Sequence, residues 1–228
     1  MRRKRTLLGV SLLAIFAVVM VSSAVAIINS GHTLSPNLMA LVALTSSGDG
    51  GAGGSVDSKI VKDWQGDGNN LDLSKLRVGD IIAVSGVFPG ADLIVPGHYS
   101  HVAMYIGNGK MIEAWETGVR IVSIDMIHNA DDAAIYRVRT SDSVKQAAVN
   151  WALTKVGLPY DFIWLTYIGG KQVEGNSYYC SELVWAAYKA VGGPDIDQNP
   201  GWSWKYGFNV APQEICDDGD TFLVAYSS

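Results

Sequence analysis

Cysteine is scarce in this chain: 228 residues contain two, Cys180 and Cys216, so a disulfide-rich scaffold is excluded and one bridge is the most it can form. Histidine is nearly as rare, at four. His98 precedes His101 by three positions, but no second close-spaced ligand pair accompanies them, which argues against a metal site. The segment "DWQGDGNN", Asp63 to Asn70, superficially follows a calcium-loop pattern, yet its twelfth position is Ser74 rather than glutamate, and it reads as a solvated turn. No internal repeat is present, and no cofactor is predicted. Clusters of positive charge are missing beyond the first five residues: 17 basic side chains against 22 acidic ones give a net charge of -5, and the basic ones are scattered singly. Nucleic acid is therefore excluded as a partner.

What the chain does have is enough apolar residues, 48% of the total, for one well-cored domain and a leader. "MRRKR" is a cationic start, and the uncharged apolar run that follows ends near Ala24-Val25-Ala26, small residues that a signal peptidase accepts. The run continues through Ile27 and Ile28, about twenty residues in all, which is also enough to stay in a bilayer as an anchor with its basic end inside. Residues 1–28 are thus expected to be a signal peptide or N-terminal anchor, with membrane attachment through 7–28. Residues 29–60 are expected to be a Gly/Ser-rich linker, from "TSSGDGGAGGS". Residues 61–228 form the expected domain, which lies secreted or extracytoplasmic in either case.

Within the domain, "LRVGDIIAVSG" predicts a strand after a Gly79-Asp80 turn, and "SHVAMYIGNGKMIEAW" predicts a hairpin. "GVRIVSIDMI", "AAIYRVR" and the final "TFLVAYS" read as further strands. From Ser143 to Val156 the apolar residues recur at helical spacing, with Ser141 or Asp142 as N-cap and Gly157 as the stop. A second helix is expected from about Cys180 to Val191, its stripe made of Leu183, Val184, Ala187 and Val191. Strands grouped around two helices make an α+β pattern.

Cys180 falls at the start of that second helix, where unpaired backbone N–H groups and the positive end of the helix dipole favour a thiolate. The same N–H groups suit a developing oxyanion. A disulfide with Cys216 is the competing reading for an exported protein. A thiolate nucleophile needs a base, and the base needs an orienting group. The hairpin carries both residue types. If Gly107-Asn108-Gly109 is a three-residue loop, His101 lies opposite Trp115 and Glu113 is its diagonal neighbour at about 7–8 Å. If Asn108-Gly109 is a two-residue turn, the register slips by one and Glu116 becomes the partner. Spacing permits both.

These residues resemble a known family. "SHVAMYIGNGKMIEA" is similar to the histidine hairpin of the NlpC/P60 papain-like cysteine peptidases, and "VGLPYDF...YYCSELVWAAYKAVG" to their nucleophile helix. Here His101 precedes Cys180, the order of the circularly permuted branch, the YiiX/YaeF-like proteins related to lecithin:retinol acyltransferase. The resemblance implies a papain-like fold in permuted order, with the His hairpin first and the nucleophile helix later. It also implies Cys180 as nucleophile, His101 as general base and Glu113 as the group that orients the imidazole. Tyr160 matches the tyrosine near the oxyanion site, and Tyr179 and Ser181 flank the nucleophile as further oxyanion or substrate contacts. Ordinary members carry Asp where this chain has Tyr179, and the third residue is often histidine.

The expected function is a secreted or anchored cysteine hydrolase that cleaves an amide, in a cell-envelope peptide, through an acyl-enzyme. The alternatives are a lipid-directed thioesterase or acyltransferase with the same residues, and a non-catalytic envelope-binding module with its cysteines locked in a disulfide. The aromatic segment "PGWSWKYGFNVAP", residues 200–212, is expected to wall the substrate groove.

Overall fold

Every residue of Ile81–Ser85 (β1) is buried, on both faces of the strand. A strand with no wet side belongs in the interior of a covered sheet. The computed structural model, which describes residues 64–87, 91–166 and 169–228, places it there. The expected leader and linker lie outside the described residues. Six strands form one antiparallel sheet in the order β4-β3-β2-β1-β5-β6. They are β1, His101–Gly107 (β2), Lys110–Trp115 (β3), Gly118–Ser123 (β4), Asp132–Val138 (β5) and Thr221–Ser227 (β6). Among the described residues the first α-helix, Ala91–Ile94 (α1), is a single turn. Asp142–Leu153 (α2), Cys180–Ala190 (α3) and Pro212–Asp217 (α4) complete the α+β architecture.

Alternation along the strands sorts side chains into two cores. Ile81 and Ala83 of β1, Val102 and Met104 of β2, and Ile112 and Ala114 of β3 pack with Leu183, Val184 and Ala187 of α3 and with Ala148 and Val149 of α2. On the other face Ile82, Val84, Ala103 and Met111 pack with Trp64, Leu71, Trp115 and Ile127. The helix α2 begins where the sequence places its cap, with Ser141 Oγ accepting from the Val144 N–H at 3.3 Å. The segment read as one strand from Gly118 to Ile127 is shorter. After Ser123 the chain turns into a 3₁₀ helix, Ile124–Asn129, capped by the Ser123 side chain. This lets Ile124 and Ile127 fold under the second core.

Among the described residues, no helix is long and apolar enough to cross a membrane.

One ion pair ties the centre of the sheet together. Asp80, just before β1, is fully buried and accepts from Arg137 Nε and Nη2 of β5, both at 2.7 Å, and from the Arg77 N–H at 2.8 Å. Removing one member of such a pair leaves an uncompensated buried charge. Arg137→Ala is expected to lower unfolding free energy by about 3–5 kcal/mol, read from urea denaturation. A loss under about 1 kcal/mol would show that the pair is dispensable.

Candidate active site

The helix α3 starts at Cys180 because the residue before it is held out of helical conformation. Tyr179 is extended (φ -92°, ψ 170°), and its N–H donates to Glu182 Oε2 at 3.2 Å, while Glu182 Oε1 accepts from the Gln172 N–H at 2.8 Å. The Sγ of Cys180 therefore sits in the first turn, where the leading N–H groups have no acceptor within the helix.

The register of the β2–β3 hairpin decides which glutamate meets His101. The turn is the two-residue one, with Asn108 at φ 52° and Gly109 at φ 68°, and Gly107 pairs with Lys110. A bulge between Tyr105 and Gly107 then shifts the pairing by one, so that Tyr105 faces Met111 and Met104 faces Ile112. The bulge cancels the slip that a two-residue turn alone imposes. Glu113 rather than Glu116 is thereby returned to the face of His101. His101 Nε2 and Glu113 Oε2 lie 2.6 Å apart, in an environment where His101 is 3% exposed and Glu113 not at all. On β4, Arg120 is the direct cross-strand partner of Glu113 and donates to its Oε1 from Nε at 2.9 Å and Nη2 at 2.7 Å.

With Nε2 engaged by Glu113, the other ring nitrogen of His101 is left for Cys180, which lies close enough for the two groups to shift each other's pKa. The protonation states follow from this chain of partners. Burial opposes the His101 cation, but the Cys180 and Glu113 charges outweigh it and raise its pKa to about 9. Burial likewise opposes the Cys180 thiolate, and the imidazolium, the Val102 N–H and the Ser181 hydroxyl overcome that, so the thiol is held below its ordinary value. Glu113 is also held low despite burial, by His101 and then Arg120. A thiolate–imidazolium pair is the result.

The remaining predicted site residues have different places. Tyr160 is partly buried and close enough to Cys180 to feel its charge; burial first, then that charge, pushes its hydroxyl well above 10. The hydroxyls of Tyr179 and Ser181 both bond to the backbone of a single residue, Val210. The Tyr179 Oη accepts from the Val210 N–H at 3.0 Å, and Ser181 Oγ donates to the Val210 carbonyl at 2.7 Å. They fasten the end of the aromatic segment 200–212 beside Cys180. That segment exposes Trp202, Trp204 and Phe208. The disulfide reading is overturned, since Cys180 and Cys216 are both free and buried. Burial raises the Cys216 thiol well above its ordinary value.

Sequence reasoning missed the roles of three residues, Trp64, Trp115 and Arg120. Trp64, within the stretch read as a solvated turn, is completely buried, and its ring meets His101 edge-on at 5.4 Å. Trp115 meets the same imidazole at 5.0 Å from another side, and the Arg120 guanidinium lies 5.3 Å over the Trp115 ring. Both tryptophans screen the His101–Glu113 bond from water. A large apolar side chain inside a Gly/Asp/Asn run was the sequence signal for Trp64.

Residues 75–225 match the family model described as the permuted papain-like amidase enzymes, YaeF/YiiX, C92 family. The chain belongs to this family. The permuted papain-like amidases are hydrolases of the cysteine type. The chain is also 33% identical over 129 residues to the uncharacterized protein YycO of Bacillus subtilis, covering 56% of this chain; it spans about half, 49%, of that relative. The crystal structure of YiiX from Escherichia coli O157:H7 superposes with a TM-score of 0.51 and 21% identity, over 66% of this chain and 97% of that one, a likeness of fold. YiiX is described as a metalloprotein. Among the described residues of this chain, no three His, Cys, Asp or Glu side chains come together as a ligand set for a metal ion.

Two thiols of such different character give distinct reactivity. Alkylation of the folded protein by iodoacetamide is expected to modify Cys180 alone, with a rate that rises at a pH below the ordinary thiol value of about 8.5. In His101→Ala the rise should move to higher pH, since the cation that stabilises the thiolate is gone. Peptide mapping that finds Cys216 alkylated first, or a profile unchanged by the histidine substitution, would contradict the ion pair.

Proposed function

We propose that this protein is an extracytoplasmic cysteine amidase acting on a cell-envelope peptide, with Cys180 as nucleophile, His101 as proton shuttle and Glu113 as the group that fixes the imidazole. The observation that carries the reading is the 2.6 Å bond between His101 and Glu113, which commits one ring nitrogen and leaves the other for a sulfur at a helix N-terminus. Membership of a permuted papain-like amidase family supports the amide bond as the target. Export and the envelope as the site of action are supported by the cationic, apolar start of the chain, which also offers attachment through residues 7–28. The permuted papain-like arrangement is supported by the order of His101 before Cys180.

The chemistry runs in two halves. The Cys180 thiolate attacks the amide carbonyl carbon, and the negative charge passes to the carbonyl oxygen, which the N–H groups of the first turn of α3 are suited to stabilise. The His101 imidazolium gives its proton to the leaving nitrogen as the C–N bond breaks, which releases an amine and leaves a thioester on Cys180. The now neutral imidazole takes a proton from water as its oxygen attacks the thioester. The thiolate leaves, the carboxylic acid is released, and the ion pair is restored. Glu113 keeps the ring in one orientation throughout.

Incubation of the full chain with peptides released from a bacterial cell wall is expected to yield one new amine and one new carboxylate per cut. Cys180→Ala and His101→Ala should each lower kcat by roughly 10⁴ or more. Glu113→Gln should lower it by roughly 10²–10⁴. Mass spectrometry of the quenched reaction should find an acyl group on Cys180. Cleavage that survives Cys180→Ala would remove the reading. An acyl adduct formed only from lipid esters would replace the amidase with a thioesterase or acyltransferase.

A further inference from the structure

We propose that Arg120 is a positioning residue for the thiolate–imidazolium pair: without reaching the sulfur, its guanidinium sets the orientation of the Glu113 carboxylate and balances its charge. The inference rests on the catalytic reading above and adds to it a group outside the Cys180, His101 and Glu113 set.

The first support is geometric. The two oxygens of Glu113 are divided between two partners: Oε2 faces His101, and Oε1 takes both the Nε and Nη2 donors of Arg120. A carboxylate held on one oxygen by two donors of a planar fork cannot rotate freely about its last bond. Its other oxygen is therefore aimed. The same guanidinium lies over the Trp115 ring, and Trp115 abuts the His101 imidazole. Arg120 thus bears on the imidazole by two routes, one through a hydrogen bond and one through packing.

The second support is the sequence of charges. Cys180, His101, Glu113 and Arg120 form a row of alternating sign, running from α3 through β2 and β3 to β4. Glu113 is fully buried, whereas the Arg120 side chain is 21% exposed, so the row starts inside and ends at water. A buried carboxylate facing only the imidazolium would be under-compensated, and its second oxygen would lack a donor. Arg120 supplies both the charge and the donors. Its place is set by the tight β3–β4 connection, which pairs Trp115 with Gly118 and hence Glu113 with Arg120.

The titratable groups around the pair are few. Glu113 and Cys180 face His101; Tyr160, Tyr179 and Glu182 feel the Cys180 charge; Arg120 is the cation on the far side of Glu113. Removing a positive charge from this row favours every protonated form in it.

The test uses full-length protein and a readout that needs no substrate. The pH dependence of Cys180 alkylation by iodoacetamide is measured for wild type, Arg120→Gln and Arg120→Lys. A downfield imidazole N–H resonance, assigned to His101 by its loss in His101→Ala, is followed alongside. Arg120→Gln should shift the alkylation profile upward by about half a pH unit or more. Arg120→Lys, which keeps the charge but not the fork, should leave the profile within about 0.2 units while weakening or broadening the imidazole resonance. Urea unfolding of each variant shows whether it is folded. An unmoved profile in Arg120→Gln together with an unchanged resonance in Arg120→Lys would overturn the proposal. So would a loss of stability without any change in either signal, the mark of a merely structural pair. Failure of the amidase reading is distinguishable: peptide cleavage would be absent in wild type while the alkylation profiles still separated the variants.

Discussion

A hydrogen bond between two buried side chains, His101 and Glu113, is the contact on which the candidate site depends, and much of the fold serves to keep it in one place. A charge buried this deeply is stable only when its partners are rigid. The rigidity comes from sheet register. β2 and β3 are interior strands of the sheet, flanked by β1 and β4, and both faces around them are filled with apolar side chains. A one-residue slip would exchange side chains between the two cores and put Glu116 in place of Glu113, so the packing that selects the register also selects the partner of the imidazole.

The bulge after Tyr105 shows where sequence reading stops. Both loop lengths considered for the hairpin contain part of the answer: the turn is the Asn108-Gly109 pair, while the pairing beyond it is the one that a three-residue loop would give. A bulge leaves no separate mark in a run such as "HVAMYIGNGK", because an extra residue in one strand looks like any other. By contrast, the start of α3 at Cys180 and the cap of α2 at Ser141 were legible, since caps and apolar periodicity are local properties. Trp64 and Arg120 were not, because their roles arise from contacts between segments, 64 with 101 and 120 with 113. The same holds for Ile124 and Ile127, whose β-branched character suggests a strand but whose burial beneath the sheet is met by a 3₁₀ turn.

The surroundings of Cys180 divide into two sides. On one side, Trp64 and Trp115 exclude water from the imidazole and its carboxylate, which strengthens each electrostatic contact there. On the other side, Tyr179 and Ser181 hold the backbone at Val210, and the segment 200–212 that leads to it displays Trp202, Trp204 and Phe208 to solvent while Tyr206 is buried. Residues immediately next to Cys180 in sequence thus anchor that aromatic segment beside it.

The separation of the two sulfurs has a consequence for the oxidation of Cys180. Cys216 lies buried in α4 near Tyr99 and Tyr136, unbonded to Cys180. A sulfenic acid formed on Cys180 would therefore find no internal thiol to condense with. In an aerobic compartment that sulfur has no built-in route back from peroxide damage, so its persistence depends on an external reductant or on replacement of the whole molecule.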